Sequence, residues 1–126
     1  MKNKINAHEN ILSLIGKTPL IKLNRVTSNC EGDYYAKYEA LSPGHSNKDR
    51  IAIHIIESAE KKGLIHKNTT IIETSSGDTG FSLSMVSMVK GYKCIVAISS
   101  KSSQDKIDML KSMGAKVYVC PSNVSA

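Results

Sequence analysis

Between Thr69 and Cys120 the sequence alternates β-branched runs with segments of helical period, and this alternation restricts the fold more than any other feature. Thr69 to Glu73 reads as a buried strand, followed by a Ser/Gly/Thr loop and a helix from about Thr79 to Lys90 that Gly91 ends. Lys93 to Ile98 reads as a second strand, Gln104 to Met113 as a helix stopped by Gly114, and Lys116 to Cys120 as a third strand. Strands joined through helices lie parallel, with right-handed crossovers. The expected class is therefore α/β, an open parallel sheet with flanking helices. Upstream, Ile51, Ile55 and Ala59, with neighbours Ala52 and Ile56, recur at helical spacing from Lys48, and Gly63 closes that helix. The first third is irregular: a short apolar helix around Ile11 to Ile15, a strand at Leu20 to Leu23 and another at Tyr34 to Tyr38, before Pro43-Gly44 breaks the chain. Those two strands need a sheet to join. After Cys120 the chain turns through Pro121-Ser122-Asn123 where such a fold continues into another helix, so the architecture is expected to be incomplete.

A chain of 126 residues fits one domain. With 40% hydrophobic and 22% charged residues it is neither disordered nor collagen-like. Its apolar runs are a few residues long, against the roughly 18 needed to span a bilayer, so no membrane role is expected. Met1-Lys2-Asn3-Lys4 is basic but leads into no apolar signal core. Cys30, Cys94 and Cys120 are odd in number and far apart, which suits a reducing, cytoplasmic setting better than a disulfide framework. Seventeen Lys and Arg against 11 Asp and Glu give a net charge of +6. Lys37, Lys61, Lys67, Lys90 and Lys101 are nevertheless scattered over different segments, and the five tyrosines and Phe81 form no stacking pattern. The charge reads as a solvated surface, with no nucleic-acid partner.

Two segments carry candidate chemistry. Glu73-Thr74-Ser75-Ser76-Gly77-Asp78-Thr79-Gly80 lies between a strand and a helix. Backbone N–H groups at the helix start, the hydroxyls of Ser75, Ser76 and Thr79 and the positive dipole end would together hold a carboxylate or phosphate. Helix capping by Asp78 or Thr79 is the commoner use of such residues. The second segment is Ser42-Pro43-Gly44-His45-Ser46-Asn47-Lys48-Asp49-Arg50. A lysine in the first turn of a helix meets a dipole that disfavours its charge, which favours the neutral amine able to attack a carbonyl. The alternative is that Lys48-Asp49-Arg50 forms only a solvated first turn. The four histidines show no metal-ligand spacing, so no metal is expected. No Gly-x-Ser-x-Gly elbow occurs. Met85, Met88, Met109 and Met113 follow helical spacing and read as core filler.

Taken with Ile15-Gly16-Lys17-Thr18-Pro19-Leu20, these two segments stand in the order and spacing of one family. The sequence resembles the cysteine synthase and cystathionine β-synthase family of fold type II pyridoxal-phosphate enzymes, from about Ile11 to Val124. The segments Glu57 to Leu64 and Lys90 to Cys94 look like that family too. The resemblance implies that Lys48 holds pyridoxal 5'-phosphate through a Schiff base and later removes the substrate's α-proton. It implies that Ser75, Ser76, Gly77 and Thr79 grip the substrate α-carboxylate, and that Asp78 borders the cofactor. The implied reaction is β-replacement: a serine-type amino acid loses its β-substituent and a thiol or sulfide adds, giving cysteine or cystathionine. Such enzymes are usually homodimers.

Two residues depart from the family pattern. Asp78 stands where asparagine is usual, and an ionised carboxylate can only accept hydrogen bonds, so weaker cofactor affinity is expected. His45 stands where glycine is commonest. The family's catalytic chains are also far longer, and their phosphate-cradling loop lies outside the part matched here. Residues 1–47 are accordingly expected to carry strands of a larger, mostly missing domain, and residues 48–126 a small α/β domain with the carboxylate loop. The chain is expected to be an amino-terminal portion of such an enzyme that binds the cofactor poorly by itself. The competing expectation is a non-catalytic remnant or partner-binding module that keeps the fold.

Overall fold

Val96 and Ile98, fully buried at the centre of a strand, mark where the molecule packs most tightly. The structure is a computed structural model and describes residues 7–75 and 77–122. Three strands form a parallel sheet: β3 (Thr70–Thr74), β4 (Lys93–Ser99) and β5 (Lys116–Cys120), in the order β3-β4-β5 with β4 central. Helix α2 (Asp78–Lys90) crosses from β3 to β4, and α3 (Gln104–Ser112) from β4 to β5. The β-α-β-α-β order is the one expected, with boundaries moved by a residue or two.

Both crossover helices cover one face of this sheet. Cys94, Val96 and Ile98 of β4 point into it and meet Ile107, Leu110 and Ala115, with Ile71, Phe81 and Val117 against them. The other face carries Ile72, Ile95 and Tyr118, and Ile72 is 68% exposed. The sequence reads β3 as buried, and the structure corrects this: only the Ile71 side of the strand meets a helix. Parallel strands ordinarily have both faces covered.

Helix α1 (Lys48–Lys61) packs on α2 rather than on the sheet, so α2 lies between two layers. Every residue of α2 from Ser82 to Ser87 is buried, and the small serines let its neighbours approach closely. Ala52 and Ile56 of α1 join Leu83 and Val86 of α2 and Leu12 in a second core, which Ile71 connects to the first. Ile51 and Ile55 face outward, so the buried stripe of α1 runs through Asp49, Ala52 and Ile56 instead. Of the methionines read as core, Met85 is buried while Met88 and Met109 are half exposed.

The amino-terminal region contributes a short 3₁₀ helix, Ile11–Leu14, whose Leu12 N–H donates to Asn10 Oδ1 at 3.0 Å. Strands β1 (Leu20–Leu23) and β2 (Tyr34–Lys37) pair antiparallel with each other in a separate two-stranded sheet. A 3₁₀ turn, Glu39–Leu41, leads into the loop before α1. Among the described residues, no helix is long and apolar enough to cross a membrane.

Candidate functional site

Lys48 is the first residue of α1, and Ser46 Oγ accepts from its backbone N–H at 3.2 Å, which starts the helix at that point. Its side chain is half-buried and donates to Asn47 Oδ1 at 2.9 Å. The two residues after it do more than form a solvated first turn: Asp49 is withdrawn from solvent, and Arg50, though exposed, is held by several bonds. Asp49 is completely buried. Its Oδ2 accepts from the Gly44 N–H and its Oδ1 from the Ser82 hydroxyl, each at 2.5 Å. This carboxylate therefore pins the loop before α1 to the side of α2. Gly44 is required there, because a Cβ at that position would run into the Asp49 carboxylate.

Arg50 closes a second set of bonds. Its Nε donates to Glu39 Oε2 at 2.7 Å and its Nη2 to Glu39 Oε1 at 2.9 Å, a two-pronged pair. The same Nη2 reaches the Gly16 carbonyl at 2.9 Å and Thr18 Oγ1 at 3.2 Å. Thr18 donates its hydroxyl hydrogen to Glu39 Oε1 at 2.6 Å. Arg50, and after it the Thr18 hydroxyl, hold the Glu39 carboxyl down at about 2. Gly16, Thr18 and Glu39, all well upstream of Arg50, thus brace the loop that presents Lys48.

Across α2 the turn after β3 is built around one hydroxyl. Ser75 N–H donates to the Ala97 carbonyl at 3.1 Å, extending the sheet by a residue. Ser75 Oγ then accepts from Gly77 N–H at 3.1 Å and Gly80 N–H at 3.0 Å. Neither Asp78 nor Thr79 caps the helix through its side chain, as simple capping would require; Ser75 does so from outside it. Ser75 accepts twice, so its own O–H remains to donate. Among the described residues the N–H groups of Asp78 and Thr79 have no partner. Ser76, the remaining member of the expected carboxylate loop, lies outside the described residues.

These pieces meet. Lys48, Ser75, Gly77, Asp78 and Thr79 line one cavity of about 220 Å³. The amine and the hydroxyl-lined turn therefore face a common space, with α1 supplying one wall and the start of α2 the other. Lys106 of α3 completes the lining. Its Nζ would lie 3.2 Å from a Cβ on Gly77, so only glycine lets the ammonium come down onto the turn without a shift.

Sequence reasoning gives Asp49 and Arg50 no role beyond a solvated first turn and does not single out Lys106. The signal for Asp49 was present, since it stands three and seven residues before Ala52 and Ile56 on the buried stripe. Lys106 carried no such signal, because its approach to the turn depends on how α3 sits against the sheet. Among the described residues, no group of three His, Cys, Asp or Glu side chains is placed to hold a metal ion.

The profile of the pyridoxal-phosphate dependent enzyme family matches residues 11–126. The chain is 49% identical over 119 residues to a cystathionine beta-synthase of Apis mellifera, covering 91% of this chain and 23% of that protein. It is 43% identical to the cystathionine beta-synthase of Dictyostelium discoideum, covering 93% of this chain and 24% of that one. It therefore spans about a quarter of the length of these relatives. Among solved structures, an O-ureido-L-serine synthase superimposes with a TM-score of 0.87 at 32% identity, over 95% of this chain and 38% of the other. A hydrogen sulfide-producing enzyme from Fusobacterium nucleatum does so with a TM-score of 0.83 at 40% identity, over 92% and 38%. A match running from the first 3₁₀ helix through the sheet, with the lysine loop and the Ser75 turn inside it, places this chain in the pyridoxal-phosphate dependent enzyme family.

Proposed function

We propose that this chain carries the amine and the carboxylate-binding turn of a β-replacement enzyme of sulfur amino-acid metabolism, acting on a serine-type amino acid with a thiol or sulfide in a cytoplasmic setting. The observation that carries this reading is the shared cavity: a primary amine on one wall and hydroxyl and N–H donors on the other. The donor set fits pyridoxal phosphate and an amino acid, because an aldehyde needs an amine and a carboxylate needs neutral donors at a helix start. Bound there, the cofactor supplies an electron sink for the carbanion that forms when the α-proton leaves.

The chain's own residues divide the remaining work. Lys48 would hold the cofactor through its Nζ, and the same amine is placed to accept the proton from the substrate's α-carbon. The Ser75 O–H and the Asp78 and Thr79 N–H groups, with the Thr79 hydroxyl, orient the substrate carboxylate. Asp78, which lines the same cavity, would border the cofactor. Asp49 and Arg50 fix the loop that carries Lys48, so the amine and the turn keep one separation. We assign the amino-terminal segment 1–47, with strands β1 and β2, to a larger domain and residues 48–126 to a small α/β domain, a division supported by the two separate sheets.

Adding pyridoxal phosphate to the chain, then reducing with borohydride and locating the adduct by mass spectrometry, tests the reading. The expected result is modification at Lys48, with a visible absorbance band that a Lys48→Ala variant loses. Labelling spread over surface lysines, with no band dependent on Lys48, would overturn it and favour a non-catalytic module that keeps the fold.

A further inference from the structure

Lys106 is the third residue of α3, and Met109 and Leu110 follow it at the spacing that puts all three on one face of the helix. Leu110 and the neighbouring Ile107 are buried in the core of the parallel sheet, which fixes how α3 is turned. Lys106 is thereby brought to the start of α2. Its Cδ, Cε and Nζ come within 3.7, 3.6 and 3.2 Å of the place where a Cβ on Gly77 would stand. The stem is laid along the glycine, and the ammonium ends in the lining of the Lys48 cavity with Ser75, Asp78 and Thr79. The amine of Lys48 serves the aldehyde and the neutral donors of the turn serve the carboxylate, which leaves this second cation without a part.

Charge balance gives it one. Asp78 is an acid in the first turn of α2, so the positive end of that helix already has a carboxylate beside it. Asp78 also lines the Lys48 cavity. A ligand carboxylate brought to the Asp78 and Thr79 N–H groups therefore meets a like charge close by, and the donors must work against that repulsion. Lys48 cannot offset it, because a primary amine attacks an aldehyde only in its neutral form. Among the described residues lining the cavity, Lys106 is the cation that remains. Its ammonium cancels the Asp78 carboxylate, and an incoming anion then meets the helix start and its donors alone.

We propose that Lys106 is a further substrate-binding residue of this site: its ammonium, laid over Gly77, offsets Asp78 and holds the ligand's carboxylate at the Ser75 turn. Asp78 and Lys106 act as a unit, the negative charge being tolerated because a positive one stands in the same cavity. Naming that carboxylate as the α-carboxylate of a serine-type amino acid rests on the β-replacement reading, whereas the charge balance at the turn does not.

Acetate is the probe, since it presents a carboxylate and little else, with acetamide as its neutral counterpart. Binding is followed by amide chemical shifts of the isotopically labelled chain at constant ionic strength. Acetate is expected to shift the Gly77, Asp78 and Thr79 amides, and acetamide to bind at least about fivefold more weakly. Lys106→Gln should weaken acetate binding about fivefold, and Lys106→Arg should keep it within about twofold. Adding Asp78→Asn to Lys106→Gln should restore the wild-type affinity, a rescue that a merely structural lysine would not show. Both side chains are exposed, so the remaining amides should keep their positions in every variant. Turn amides unmoved by acetate, wild-type affinity in Lys106→Gln, or no rescue in the double variant would each overturn the assignment. Borohydride trapping at Lys48 involves no carboxylate and judges the β-replacement reading by itself. Trapping without any effect of Lys106 sinks this assignment alone, and a Lys106-dependent anion site without trapping sinks that reading alone.

Discussion

A carboxylate with no exposure to water needs donors to offset its desolvation, and Asp49 has two, on different elements. One is the backbone of the loop before Lys48 and the other a hydroxyl on α2, so a single side chain sets the gap between the amine's wall and the turn's wall. Removing one donor leaves a charged oxygen buried without a partner, which costs more than the hydrogen bond itself contributed. Ser82→Ala is therefore expected to lower the unfolding free energy by about 2 kcal/mol in urea titrations. The same variant should speed hydrogen exchange at the Gly44 amide, because the carboxylate it donates to is no longer held from the other side. An unchanged exchange rate would mean the loop is fixed by something else. Sequence alone makes Asp49 look like an ordinary first-turn acid, and only its place on the stripe with Ala52 and Ile56 hints otherwise. Burial of a charge depends on what lies opposite it, here Ser82, thirty-three residues away.

Between elements, Glu39 and Arg50 join the 3₁₀ turn after β2, the Gly16–Thr18 segment and α1. The Glu39 carboxyl falls from its ordinary 4.5 to about 2 because Arg50 and Thr18 donate to its charged form. A folded-state value below the unfolded one means that the interaction stabilises the fold above the unfolded value. That stability declines as pH falls from 4.5 and is gone once the folded group too is protonated near 2. Denaturant titrations across this window should show the loss in the wild type and a flatter profile in Glu39→Gln, and added salt should narrow the difference because the pair is partly exposed. The strands and α-helices themselves were legible to within a residue or two from β-branched runs and glycine stops, whereas the 3₁₀ turn Glu39–Leu41 was not. Their joints were not. Ser75 caps α2 from the preceding strand, and Asp78 and Thr79, the obvious capping types, do not. A cap reached from outside the helix depends on how sharply the chain turns, which residue type does not encode.

Over the whole molecule, apolar surface is distributed unevenly. Helices α2 and α3 cover one face of the parallel sheet around β4, leaving Val119 at its edge exposed, while Ile72 and Tyr118 stand exposed on the other face, and Leu20, Ile21 and Tyr35 do the same on the β1–β2 hairpin. A contiguous exposed apolar face on a sheet normally marks a contact surface. Sequence pattern could not separate the two faces, because β3 and β5 are rich in β-branched and aromatic residues on both sides, as parallel strands usually are. The register settles it: Ile72, Ile95 and Lys116 lie in one row, with Ala97 and Tyr118 in the next, all on the uncovered side. Lysine is already tolerated there, since Lys116 Nζ sits 5.0 Å from the centre of the Tyr118 ring. The paired change Ile72→Lys and Tyr118→Lys should thus keep the circular dichroism spectrum and the cooperative unfolding of the chain. It should also lower its binding of a hydrophobic dye and its concentration-dependent association in sedimentation. Val96→Lys, placed on the helix-covered face at a residue with no exposure, should instead abolish folding by burying an unpaired charge. Unfolding by the first pair, or tolerance of the second change, would mean that the two faces had been assigned the wrong way round.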